Sequence, residues 1–192
     1  MTQVRTATTV DRKKRPVRPQ TEPTLIPYIT QREGEEAAPD NLLIVRQGSD
    51  RRLYYGDEDP RDRDLGGVLW ARCGFNLDER KQPTGAPQWK LTHPQRQMAT
   101  MQMMCCQVST GPARTPLGFI FLAGPTDHGP NERSVITNQP PVCPRHARAV
   151  AKLCPHLDGN RVVFLAQSAP LYGVHGTLYG LSGTGARRRP AG

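Results

Sequence analysis

Apolar residues in this chain gather in short runs divided by turn-forming stretches, the pattern of brief strands with few helices. Residues 42–46 (LLIVR) are the first such run; they pass through the polar turn 47–51 into 52–55 (RLYY), which predicts a β-hairpin. Residues 67–73 (GVLWARC) predict a third strand, 119–122 between Gly118 and Gly124 a fourth, and 161–167 another. Residues 135–137 are expected to pair back after a loop over 125–133, and 171–181, with glycines at 173, 176 and 180, read as a turn-rich finish. The charged stretch 57–64 (DEDPRDRD) lacks the glycine and terminal Glu of a calcium loop and is expected to be solvated. Residues 75–88 are expected to be a polar connection.

The period lengthens to three or four at two places. Thr92 is a good helix N-cap and Pro94 suits a first turn, so a helix is expected to about Met104. Met98, Met101 and Met104 (with Cys105) fall on one face of it, read as core packing. A second helix starts at Cys143-Pro144 and reaches about Leu153, with Ala147, Val150, Ala151 and Leu153 as its buried side. The sum is a small α+β domain over residues 41–183, with about six short strands and two helices.

Composition changes the picture at the ends. Hydrophobic residues make up 36% of the 192, below the ~45–50% of a compact domain. Residues 1–40 hold a basic run, five prolines and the acidic patch Glu33, Glu35 and Glu36, and are expected to be a disordered arm. Leu25, Ile26, Tyr28 and Ile29 form one apolar patch there, able to dock on the core or on a partner. Residues 184–192 are expected to be a basic disordered tail. Of the net charge of +9, residues 1–20 carry +5 and Arg187, Arg188 and Arg189 carry +3, which leaves +1 for residues 21–186. Basicity therefore belongs to the tails, which would attract nucleic acid in a salt-sensitive way without reading its sequence. No stretch approaches the ~18–20 apolar residues of a membrane span, and no apolar run follows the basic N-terminus as in a secretory signal. Five cysteines, two of them adjacent, make a poor disulfide framework. The expectation is a cytoplasmic protein with thiols or metal ligands and no membrane partner.

The residues that could carry chemistry are Cys105 and Cys106, then the hairpin around 119–122, then Cys143 and His146. A treble-clef zinc finger has this order: a knuckle supplies two ligands, a hairpin follows, and the first turn of a helix supplies two more. Cys143 and His146, at i and i+3 on a helix start, point the same way and can share one ion. A Cys-x-x-Cys knuckle starting at Cys106 would need its second Cys at 109, where the chain has Ser109. Cys105 is the nearest substitute, although adjacent side chains diverge. Cys154 lies about 16 Å down a continuous helix from Cys143, and His156 or Cys73 would reach the site only by chain return. His128 and His175, in Gly-rich loops, read as solvent-facing. Phosphate-binding, dinucleotide-binding, serine-elbow and His-Glu-x-x-His patterns do not occur.

Several blocks together resemble an uncharacterised actinomycete protein family. They are Val68-Leu69-Trp70-Ala71-Arg72, His93-Pro94-Gln95-Arg96-Gln97, Cys106-Gln107-Val108 with Gly111-Pro112-Ala113, Pro140-Pro141-Val142-Cys143, and Leu153-Cys154-Pro155-His156-Leu157. The resemblance covers roughly residues 50 to 180. It implies paired Cys-x-x-Cys ligands, with Cys106 at the first position, Cys143 at the third and His146 at the fourth, and Ser109 departing from the second. The leading expectation is a non-enzymatic binding or scaffold protein with a degenerate zinc-finger-like site at Cys106, Cys143, His146 and Cys105, contacting nucleic acid through its tails. Two alternatives stand beside it: a zinc- or thiol-dependent enzyme using Cys143 and His146, and a protein–protein adaptor without metal.

Overall fold

In the computed structural model, which describes residues 25–38, 41–124, 136–153, 162–174, 176–182 and 185–188, regular structure begins earlier than expected. Strand β1 (Thr30–Arg32) lies inside the stretch assigned to a disordered arm. Its partner is the later strand β4 (Pro87–Thr92), so pairing across many residues orders a segment with little local propensity. Ile29, Thr30, Arg32 and Glu35 are buried as a result. The arm is thus corrected over residues 25–38, and residues 1–24 lie outside the described part.

Strands β2 (Leu42–Gln47) and β3 (Asp50–Tyr55) form the expected hairpin, in register from Leu42 opposite Tyr55 to Gln47 opposite Asp50. Its tight turn uses Gly48 at φ 62°, a conformation that costs glycine nothing. Residues 57–64 depart from the solvated loop expected of them. A 3₁₀ turn, Pro60–Asp62, is capped by Asp59, and Arg72 reaches back to bind Asp62 at 2.6 Å and Asp57 at 2.7 Å. Arg63 pairs with Glu58 at 2.7 Å. Residues 67–73, expected as a strand, make only single bridges, Arg63 to Leu69 and Ala37 to Cys73. Asp64 explains this: its carboxylate accepts from the Gly66 and Val68 N–H groups and the Trp70 indole, which curls the segment around itself.

Helix α1 (Pro94–Gln102) follows β4 directly, and its N-cap is His93 rather than Thr92, which remains in the strand. The methionine stripe is not the buried face. Arg96 and Thr100 are the residues of α1 that lie wholly inside, while Met98 and Met101 are half-buried and Met103 is 76% exposed. The helix packs on the carboxylate of Glu35, which requires a cation rather than a thioether.

Strand β5 (Arg114–Thr115) turns into β6 (Gly118–Ala123), and β7 (Val162–Ala166) pairs antiparallel on the other side of β6. Between them in sequence, helix α2 (Pro144–Leu153) lies where it was expected. Residues 136–137 form no strand; Val142 instead makes a single bridge to Ile120 of β6. Strands β8 (Tyr179–Ser182) and β9 (Gly185–Arg188) form a last hairpin, so the basic tail is corrected over 185–188. Among the described residues the fold is α+β, with nine short strands in four small sheets and two α-helices. Its apolar core gathers Cys106, Val108, Ala113, Leu122, Val142 and Val150 between the segment after α1, strand β6 and α2. No described helix is long and apolar enough to cross a membrane.

Candidate metal centre

The path of the backbone after α1 sets the first donor. Met104 adopts φ 49° and reverses the chain, and Cys105 then bridges to Pro112. The Cys106 N–H donates to the Gly111 carbonyl at 2.8 Å and the Thr110 N–H donates to the Cys106 carbonyl at 2.8 Å, closing a tight turn over 106–111. Thr110, at φ 58°, supplies the left-handed residue this turn needs. Cys106 is completely buried in the apolar core.

A second segment delivers the other donors. The Gln107 N–H and side-chain amide donate to the carbonyls of Pro141 and Pro140, and the Val142 N–H donates to Ile120, fixing residues 140–142 between turn and sheet. Cys143 immediately precedes α2, and its carbonyl accepts from the N–H groups of His146 and Ala147, each at 3.0 Å. One helical turn thus separates Cys143 from His146 and aims both at Cys106. His146 Nδ1 lies 3.2 Å from Cys143 Sγ and 3.7 Å from Cys106 Sγ, and the three donor atoms all fall within 4.8 Å of one another.

That spacing suits a tetrahedral ion. With Zn–S near ~2.3 Å and Zn–N near ~2.0–2.1 Å, a tetrahedral angle sets sulfur and nitrogen about 3.5–3.6 Å apart. The electrostatics agree. Burial alone would push the Cys106 thiol up, but the N–H groups of Cys143, Val108 and Ser109, together with His146, outweigh it and bring the pKa down to about 6. The Cys143 thiol is pushed up, first by burial and then by the Cys106 sulfur beside it. That is the opposite of what an activated nucleophile needs.

Among the described residues this is the one Cys/His/Asp/Glu group with metal-holding geometry. Cys105, expected as a further ligand, does not belong to it, because its neighbour Cys106 turns inward and consecutive side chains diverge. Ser109 is exposed. The Cys73 thiol lies against the Glu35 carbonyl at 3.3 Å, and Cys154, His156, His128 and His175 lie outside the described residues. Comparison with protein-family models, with curated proteins and with solved structures finds no match.

A second polar cluster escaped the sequence reading. Glu35, completely buried, forms an ion pair with Arg96, and its carboxylate also accepts the Arg32 N–H at 2.7 Å. His93 donates from Nε2 to the Gly74 carbonyl at 3.0 Å, while its Nδ1 accepts the Arg96 N–H. Burial and then the Arg96 charge hold its pKa below the ordinary value, so it is neutral. The signal available was His93, Arg96 and Thr100 at helical spacing, a polar stripe that normally marks a solvated face.

Proposed function

We propose that this protein is a non-enzymatic binding or scaffold module. In this reading Cys106, Cys143 and His146 hold a structural zinc ion that ties the 106–111 turn to the start of α2. The convergence of those three donors carries the proposal. The turn, the β5–β6 hairpin and α2 then act as a treble-clef-like unit, in keeping with the family resemblance in the Cys106 and Cys143 blocks. Zinc would replace the weak contact between two sulfurs and an imidazole with directed bonds at the edge of the apolar core.

Three protein donors leave one tetrahedral position, which Ser109, water or a residue of a partner could fill. Catalytic zinc sites share that open position. The structural role is proposed because Cys106 lies completely buried in the apolar core, where an ion ties the turn to α2.

Cobalt substitution tests the proposal. Co(II) added to metal-stripped protein is expected to give the intense visible bands of a tetrahedral ion and the near-ultraviolet thiolate charge transfer of two sulfurs. Cys143→Ala should lose both. Six-coordinate spectra, or charge transfer unchanged in Cys143→Ala, would refute it.

A further inference from the structure

A groove with a volume of about 740 Å³ opens between the C-terminal end of α1, the outer arm of the 106–111 turn and the start of β6. Three features single it out. Lys81, Met104 and Thr110 are the non-glycine residues of the described chain with left-handed φ, at 61°, 49° and 58°, and all three line it. Such backbone strain collects where a surface must hold a particular shape. Lys81 and Arg114 bring two positive charges to it, no carboxylate lines it, and neither cation forms an ion pair among the described residues. Its apolar lining includes Met103, 76% exposed, and Met104, flexible thioethers of the kind that adapt to apolar side chains.

We propose that this groove binds a short acidic segment of a partner protein, with Asp or Glu side chains on Lys81 and Arg114 and an apolar side chain on Met103 and Met104. Charge complementarity selects the acid, and the thioethers select an apolar neighbour. Single-stranded nucleic acid would also meet the two cations, but it needs an open aromatic face for its bases. Both rings at the groove already carry a guanidinium: Arg114 lies 5.2 Å from the Phe119 centroid and Arg96 lies 5.5 Å from that of Tyr28.

The inference rests on the reading of the protein as a binding module and is separable from its zinc. A random library of displayed peptides, about a dozen residues long, is selected on the immobilised full chain. The most enriched peptide is then synthesised with a fluorophore for anisotropy titrations. Enriched peptides are expected to combine Asp or Glu with Leu, Ile, Met or Phe. The charge reversals Lys81→Glu and Arg114→Glu together should weaken binding by about tenfold or more, and Met103→Ser should weaken it without changing the salt dependence. The milder pair Lys81→Gln and Arg114→Gln replaces the reversals if circular dichroism shows those to unfold. Failure to enrich any sequence, enrichment of basic peptides, affinity indifferent to both charge pairs, or displacement by oligodeoxythymidylate would each overturn the proposal. The titration is repeated on protein shown by elemental analysis to lack zinc. Binding that survives there, in a chain that never takes up zinc, defeats the metal reading and leaves the groove intact.

Discussion

Glu35 and Arg96 meet with side chains 0% and 1% exposed, and Arg32 adds a second buried guanidinium beside them. Removing one partner of such a pair leaves the other charge in the interior, at a cost of about 3–5 kcal/mol. Glu35→Gln should therefore unfold in denaturant with a loss of that size, whereas a loss below about 1 kcal/mol would mean the pair is solvated. Asp62 gives the pH dependence. The hydrogen bond from Arg72 holds its carboxyl below the ordinary value despite burial, so the native state favours the charged form. Stability from this group is fully present above its unfolded pKa of ~3.9 and is lost as pH falls through the lower folded value. Thermal melts should show wild type losing more stability than Asp62→Asn as pH drops below about 4, and parallel losses would contradict the assignment. Neither residue was legible as buried. Glu35 sits in an acidic, proline-rich stretch and Asp62 in a run of alternating charge, and the cations and amides that complete their burial, Arg96, Asn76 and Arg72, lie ten or more positions away.

Elements were legible where the signal is local. The β2–β3 hairpin, β6 and β7 each carry a compact apolar run, and α2 has an apolar stripe behind a proline start. Strand β4, Pro-Gln-Trp-Lys-Leu-Thr, has no compact apolar run, and its Trp89 and Leu91 are 37% and 50% exposed. It forms because β1 pairs with it, across an irregular register running from Thr30–Thr92 to Arg32–Pro87. Two substitutions probe the backbone of the site's neighbourhood. Thr110→Gly relieves a left-handed β-branched residue and should stabilise by about 1 kcal/mol, after the entropic cost of glycine. Gly118→Ala should do the reverse, by about 1–3 kcal/mol. Gly118 has φ 121°, and a Cβ there would press on the Ala166 carbonyl, parting β6 from β7. Chemical denaturation of both variants measures these, and effects of the opposite sign would contradict the left-handed conformations at Thr110 and Gly118.

At the scale of the whole molecule, the candidate centre was the most legible feature. Cys143 and His146 were readable from helical spacing, and Cys106 from its place before the hairpin. Which of the adjacent Cys105 and Cys106 faces the other two donors depends on the path of the 106–111 turn, which the sequence does not give. Because the three donors bridge the segment after α1 to α2, metal binding should be linked to folding. At free zinc about 100–1,000 times the dissociation constant, the ion should add about 3–4 kcal/mol, which chelation should remove and added zinc restore. The most direct test is elemental analysis of the purified protein beside Cys143→Ser and Ser109→Cys. About one zinc per chain is expected in wild type, with loss of the ion in Cys143→Ser and slower release to a chelator in Ser109→Cys. A folded wild-type protein that carries no zinc and takes none up when supplied would contradict the zinc site.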